Sequence, residues 1–327
     1  MLFCDPEGMV VFGERRALLP SRWFRWVVVL PFVVAFAVLG GVGVYRYVDG
    51  FWLYRGFAPP KDAAWVKAYG RRESIGVASA ALAGRSQQVV VYLPPGYDAR
   101  PGRRYPVLYL LHGFPGRPLA FLETVRAGVL VDELVAAGRM QPLILVMPSG
   151  STGLFTDKEW ANGVRAGEGW ETFVARDVVN AIDARYRTIA TGAGRAIAGL
   201  SEGGYGAINI GLHHPGEFRV LESWSGYMRA DPIASIFGHG SARLAYNSPL
   251  SYLPRVAAEL RRAHVYVWFY TGSKDPYRSQ NRHFDSLLGR YRVEHAFFVS
   301  PGGHTWVAWR DNAAAALQVA GLRLAHG

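Results

Sequence analysis

Beyond residue 85 the chain alternates short, uninterrupted apolar runs with stretches of helical period, and this alternation constrains the fold more than any other feature. The runs are Ser86–Leu93, Tyr105–Leu111, Pro142–Met147, Arg195–Leu200, Arg219–Trp224, Val265–Thr271 and Glu294–Ser300. Helical patterns occupy about 127–138, 170–186, 203–214, 250–263, 277–290 and 305–324. A run such as YPVLYLL, without polar alternation, reads as a strand buried on both faces. Parallel strands need connections of about a dozen residues or more, which these helical stretches supply. The pattern therefore predicts an α/β fold: a mostly parallel sheet with helices on both faces. Reactive groups in such sheets collect at the carboxyl ends of the strands, so only a few loops need be searched for chemistry.

One of those loops is Gly199-Leu200-Ser201-Glu202-Gly203, which follows RAIAGL and opens the helical stretch GGYGAINIGLHH. A strand-to-helix turn this sharp strains the nucleophile's backbone and tolerates only glycine where the neighbouring elements approach, which is the context of a nucleophile elbow. Ser201 Oγ is expected at the sheet edge over a helix N-terminus. There the backbone N–H of Glu202 faces the oxyanion formed when Ser201 attacks a carbonyl. A directed oxyanion donor is worth about 2.7–4 kcal/mol against about 0.3–1 kcal/mol for the diffuse helix dipole. The second donor is expected after an earlier strand, where His112-Gly113-Phe114 follows LYLL, and the N–H of Phe114 is assigned to it.

Gly272-Ser273-Lys274-Asp275 follows VYVWFYT, which places Asp275 to orient an imidazole. Of nine histidines, His304 in PGGHTW is the one at the end of the last strand, positioned to take the Ser201 proton as general base. The order Ser…Asp…His is that of an α/β-hydrolase fold. His112 precedes the nucleophile and reads as structural. Asp285 and Glu294 are weaker acid candidates, one inside a helical pattern and one at a strand start. His213 and His214 with Glu217 suggest a metal only superficially, because they close a helix before Pro215-Gly216, where cations complement the dipole. No metal site or cofactor is expected, and the glycines of TGAGRAIAGLSEGG do not form a dinucleotide fingerprint.

The first 70 residues are of another kind. From Trp26 to Tyr45 there are 20 residues without a charge, enough for a helix to cross a bilayer core. Arg15, Arg16, Arg22 and Arg25 lie upstream, whereas Arg46 and Arg55 downstream are partly offset by Asp49. That asymmetry predicts a cytoplasmic N-terminus, residues 1–25, and an extracytoplasmic domain. Trp23, Trp26, Tyr45, Tyr47, Trp52 and Tyr54 lie near the two ends, where amphipathic rings prefer the interface. Ala35-Phe36-Ala37 has the form of a signal-peptidase site, so a cleaved signal, and hence a secreted protein, is the alternative to an anchor at 26–45; a buried core helix is a third reading. Residues 46–70 read as a juxtamembrane linker broken at Ala58-Pro59-Pro60, and residues 71–327 as the enzyme domain.

Half the residues are apolar, which argues against disorder, and the net charge of +11 is carried by scattered arginines. Scattered charge suits anionic lipid or wall polymer better than nucleic acid, which needs a basic stripe or a reading module. Cys4 is the only cysteine, so no intramolecular disulfide forms.

From about Val89 onward the chain resembles the esterase D-like family of α/β-hydrolases, which includes S-formylglutathione hydrolases, feruloyl and enterochelin esterases and mycobacterial mycolyltransferases. The resemblance rests on VVYLPPGYD, YPVLYLLHGFPG, GWETFVARDVVNAIDARYRT, AIAGLSEGGYGA, YTGSKD and PGGHTW. It implies an acyl-serine mechanism on esters, with Ser201, Asp275 and His304 as the triad and the amides of Phe114 and Glu202 as the oxyanion hole. Glu202 departs from the family, many of whose members carry Met there, as does the N-terminal apolar segment. Residues 149–168 and 225–248, without strand or helix of their own, are expected to shape the substrate site, with Trp160, Asn162 and Tyr227 lining a cleft. The reading is a membrane-anchored serine esterase acting on a lipid or envelope ester. An acyltransferase serving a sugar or lipid hydroxyl, and an inactive envelope-binding module, are the alternatives.

Overall fold

The computed structural model describes residues 22–153 and 156–327. Cys4, Arg15 and Arg16 lie outside them. The chain divides into two compact units between Trp52 and Leu53.

In the first unit a helix of 33 residues begins at Arg22 and runs to Tyr54. Its stretch Val29–Tyr54 is 26 residues long, and large apolar side chains such as Phe32, Phe36 and Leu39 are exposed along it. At about 1.5 Å per residue that stretch covers about 39 Å, more than the hydrocarbon thickness of a bilayer. By length and composition it is able to cross a membrane, a property shared by membrane spans and signal sequences. The helix passes Tyr45, where the apolar segment was expected to end, because Arg46 and Asp49 are compatible with a helix. It stops where Arg55 and Gly56 take left-handed φ angles of 50° and 81°. The remaining linker is not free chain: Val66 is fully buried, and the Gly70 N–H lies 3.1 and 3.2 Å from the two carboxylate oxygens of Asp132.

The second unit contains the sheet. Its strands are β1 (Arg71–Ala78), β2 (Ser86–Leu93), β3 (Val107–Leu111), β4 (Ile144–Pro148), β5 (Arg195–Leu200), β6 (Val220–Trp224), β7 (Tyr266–Gly272) and β8 (Glu294–Ser300). They lie in the order β1-β2-β4-β3-β5-β6-β7-β8. The β1–β2 and β2–β4 pairs are antiparallel and all the others parallel. Seven strands fall on the predicted runs to within two residues. β1 is the addition: RRESIGVA carries charge at its start and lies at the sheet edge with only Val77 buried, so it lacks a core strand's apolar signature.

Alternation along each strand separates two cores. Val107, Tyr109 and Leu111 face one, covered by the helices Val179–Arg185, Glu202–His213, Pro249–Arg262 and Arg278–Arg290. Leu108 and Leu110 face the other, covered by Ala127–Ala136 and Trp306–Arg323. The register pairs Leu111 with Gly199, Leu200 with Trp224 and Gly272 with Ser300, which brings the strand ends to one edge of the sheet. The segment 225–248 is not devoid of helix: Ala234–Phe237 and Ser241–Tyr246 are short helices. It packs on 149–168 through the Val164 N–H to Ile236 O at 2.8 Å.

Candidate active site

β5 ends at Leu200, and the helix Glu202–His213 begins two residues later, with Ser201 as its N-cap. Ser201 has φ 56° and ψ −123°, a conformation that costs an L-residue on the order of 1–3 kcal/mol and survives only when packing over-determines it. The packing here is backbone against backbone. A Cβ at Gly203 would stand 1.9 Å from Leu111 O, and one at Gly199 would stand 2.2 Å from Gly203 O. No rotamer change relieves such a clash, so Gly203→Ala is expected to lower stability by more than about 3 kcal/mol, beyond what most single substitutions cost. Urea unfolding measures it; a loss below about 1 kcal/mol would mean that β3 and the helix can separate at little cost.

Held at this turn, Ser201 Oγ lies 2.8 Å from His304 Nε2, and His304 Nδ1 lies 2.9 Å from Asp275 Oδ2. A carboxylate only accepts, so Nδ1 donates to Asp275 and Nε2 is left to accept the serine proton. The second oxygen, Asp275 Oδ1, accepts the Tyr277 N–H at 2.8 Å. The His304 ring stands edge-on between Tyr277 and Trp309, with centroids at 5.4 and 5.0 Å. Both the tautomer and the ring plane are therefore fixed. Among the described residues no protein acceptor takes the backbone N–H of Phe114 or of Glu202. The loop carrying Phe114 runs against the serine: a Cβ at Gly113 would lie 3.0 Å from Ser201 Cβ.

These groups open on a cavity of about 150 Å³ lined by Arg55, Gly113, Phe114, Pro115, Leu200, Ser201, His304, Trp306 and Trp309. Arg55 and Trp309 are not flagged by the sequence, since one lies 146 positions before Ser201 and the other inside a regular helix.

Of the three residues expected to line a cleft, Trp160 and Tyr227 are buried, and none of the three lines the Ser201 cavity. Trp160 is 1% exposed and donates its indole N–H to His112 O at 2.9 Å. The Asn162 carboxamide is clipped to Thr172, accepting its N–H at 3.1 Å. Tyr227 is buried, stacked on Tyr205 and donating to Glu159 Oε2 at 2.6 Å. Each has its polar group engaged within the fold, and the two buried ones, Trp160 against His112 and Tyr227 against Tyr277, form part of the wall behind the site. His112 is also a packing residue: it is buried, its Nδ1 lies 2.9 Å from Gly113 O, and its Nε2 accepts the Gly150 N–H at 3.1 Å. Burial pushes its pKa down to about 4, so it is neutral. Asp285 is engaged by His295 at 3.1 Å, and Glu294 pairs with Arg323. His213 and His214 both meet the buried carboxylate of Glu171, at 3.1 and 3.0 Å, while Glu217 pairs with Arg195. Among the described residues no group of three or more His, Cys, Asp or Glu is arranged to hold a metal.

The wall contains carboxyls that the sequence does not reveal as buried. Glu202 is 6% and Glu159 2% exposed. Burial, reinforced by Asp157 and Glu159, holds Glu202 well above the usual carboxylate range. For Glu159, burial outweighs the Tyr227 hydrogen bond and lifts the pKa to about 8. Between pH 4.5 and about 8 the folded chain keeps this proton and the unfolded chain does not. Stability is thus highest below the lower value and falls as pH rises, by about 1.4 kcal/mol per unit per group. Glu159→Gln keeps a carbonyl acceptor for Tyr227 and is expected to remove that much of the slope between about pH 5 and pH 8. Urea titrations at several pH values test it; an unaltered slope would mean that Glu159 is ionised in the folded protein.

The sheet order and the strand-to-helix turn at Ser201 define an α/β-hydrolase fold. Residues 79–319 match the esterase family described as "Putative esterase", and the chain belongs to that family. It is 29% identical over 249 residues to esterase Rv1288 of Mycobacterium tuberculosis, covering 67% of this chain and 52% of the relative. It is 36% identical over 138 residues to an endo-1,4-beta-xylanase/feruloyl esterase of Xylanibacter ruminicola, covering 41% of this chain and 19% of the relative. The chain thus spans about half, or less, of the length of these relatives. Among solved structures, a ferulic acid esterase superposes with TM-score 0.70 at 27% identity, covering 79% of this chain and all of that one (100%). The Mycobacterium tuberculosis protein MPT51 superposes with TM-score 0.60 at 20% identity, covering 78% and 99%, a likeness of fold alone.

Proposed function

We propose that this chain is a membrane-anchored serine esterase. The observation that carries the reading is the unbroken hydrogen-bonded series from Ser201 Oγ to His304 to Asp275, at 2.8 and 2.9 Å. Ser201 attacks the ester carbonyl as its proton passes to His304 Nε2, and Asp275 stabilises the imidazolium. The carbonyl oxygen becomes an anion that receives the N–H groups of Phe114 and Glu202, positioned before reaction and so needing no reorganisation. Collapse breaks the ester bond, His304 Nε2–H protonates the departing alcohol, and the acyl group remains on Ser201. Water then attacks by the same route in reverse and releases the acid.

The anchor is the helix from residue 26 onward, with residues 1–25 cytoplasmic, the catalytic domain outside, and residues 46–70 joining the two. The exposed apolar length of that helix and the arginines upstream support this arrangement. A second outcome for the same acyl-enzyme is transfer, in which a sugar or lipid hydroxyl attacks in place of water.

A fluorophosphonate probe is expected to label wild-type protein at Ser201, located by peptide mapping, and to fail on heat-unfolded protein. Folded protein that stays unlabelled would identify a binding module in place of an enzyme. Analysis of products with and without acceptor alcohols separates hydrolysis from transfer.

A further inference from the structure

Arg55 contributes to the wall of the cavity that contains Ser201 and His304, although the family match begins only at residue 79. Among the described residues it is the one permanently charged side chain lining that cavity; around the reacting groups the other walls are Phe114, Pro115, Leu200, Trp306 and Trp309, with backbone from Gly113. Its position is specified. The guanidinium lies over the Trp306 ring, 5.1 Å from the centroid, and Trp306 opens the helix that follows His304. The neighbouring chain is docked as well: Arg310 lies over the Phe57 ring at 4.4 Å, and Thr124 Oγ1 donates to Leu53 O. A guanidinium stacked on a ring uses its face for that contact, and its N–H donors lie in the plane at its edge in a fork that matches a carboxylate or phosphate. Burial first, and the charge of Arg117 second, lower the pKa of Arg55 from its ordinary value, as befits a guanidinium in a poorly hydrated place. A guanidinium held out of water at the wall of a small cavity favours an anion beside it.

We propose that Arg55 is a specificity residue that binds an anionic group, carboxylate or phosphate, carried by the ester close to its scissile bond. Resting on the serine-esterase reading above, this deepens it by naming the substrate class: acidic esters are preferred to neutral esters of the same length. Arg55 follows the long apolar helix by one residue, so an acidic amphiphile held in a lipid surface and a soluble acidic ester share the chemistry it recognises.

The test uses the full chain in detergent micelles and two matched substrate pairs. The soluble pair is mono-4-nitrophenyl adipate and 4-nitrophenyl hexanoate; the lipid pair is dioleoyl phosphatidylglycerol and dioleoylglycerol, which lacks the phosphate, followed by release of oleate. The ratio of kcat/KM for the acidic member to that for the neutral one is the readout. Arg55→Gln is expected to lower this ratio about tenfold, equivalent to about 1.4 kcal/mol, mainly through KM of the acidic ester. Arg55→Lys, which keeps the charge, should retain most of the ratio. A fall in the lipid pair alone identifies a membrane amphiphile as the source of the anion, and a fall in the soluble pair a free ester; either supports the proposal. If Arg55 only clamps the chain against Trp306, both members of a pair weaken together, the ratio stays constant, and the proposal is overturned. Wild-type protein inert towards all four esters would remove the esterase reading itself, a result distinct from an active enzyme whose ratio ignores Arg55.

Discussion

Ser201→Ala is expected to lower kcat on a 4-nitrophenyl ester by about 10⁶-fold, the loss seen when a triad loses its nucleophile. At about 1.36 kcal/mol per decade this is about 8 kcal/mol of barrier. Stability should change little, because the strain lies in the backbone at φ 56° and the hydroxyl's described partner is His304 at 2.8 Å. The residual rate comes from substrate binding and from the amides of Phe114 and Glu202, which do not depend on the hydroxyl. Steady-state kinetics beside an unfolding curve separate loss of chemistry from loss of fold. Equal turnover by the two proteins would leave Ser201 without a role, and the hydrolase mechanism with it.

Asp275→Asn should cost about 10⁴-fold in kcat, about 5.5 kcal/mol, through a change of tautomer rather than of packing. Asp275 accepts two hydrogen bonds, from the Tyr277 N–H at 2.8 Å and from His304 Nδ1 at 2.9 Å. An asparagine keeps its oxygen on the Tyr277 amide, which can only donate, and so turns its NH₂ towards His304. Nδ1 must then accept, the imidazole proton moves to Nε2, and the nitrogen facing Ser201 can no longer take its proton. Fluorophosphonate labelling of Ser201 should slow in parallel with kcat while thermal unfolding stays near that of the wild type. A variant within tenfold of wild-type kcat would show that another group orients His304.

What the sequence determined by itself is whatever depends on short range. Strand and helix identity follow from the period of apolar residues over about ten positions, which is why seven strands and six long helical stretches fall where the pattern puts them. The elbow is legible for the same reason: RAIAGL, then Ser201, then a glycine-rich helix start is a local statement. Asp275 and His304 could be singled out because a parallel sheet delivers successive strand ends to one edge, and their spacing to Ser201 needed only that rule.

Tertiary structure decided what depends on which distant surfaces meet. Trp160, Asn162 and Tyr227 carry nothing in their local sequence to distinguish a cleft wall from a core. Closure of the fold buries Trp160 and Tyr227 and engages all three polar groups, Trp160 on His112 O, Asn162 on Thr172 and Tyr227 on Glu159. The same closure buries Glu159 and Glu202 and raises their pKa values, since desolvation is a property of the enclosing atoms and not of the residue. Arg55 reaches the Ser201 cavity only because Trp306 and the Leu53–Phe57 segment hold it there, across about 250 residues of chain. Periodicity records which side of an element is apolar. It holds no record of what that side will face, and packing alone supplies it.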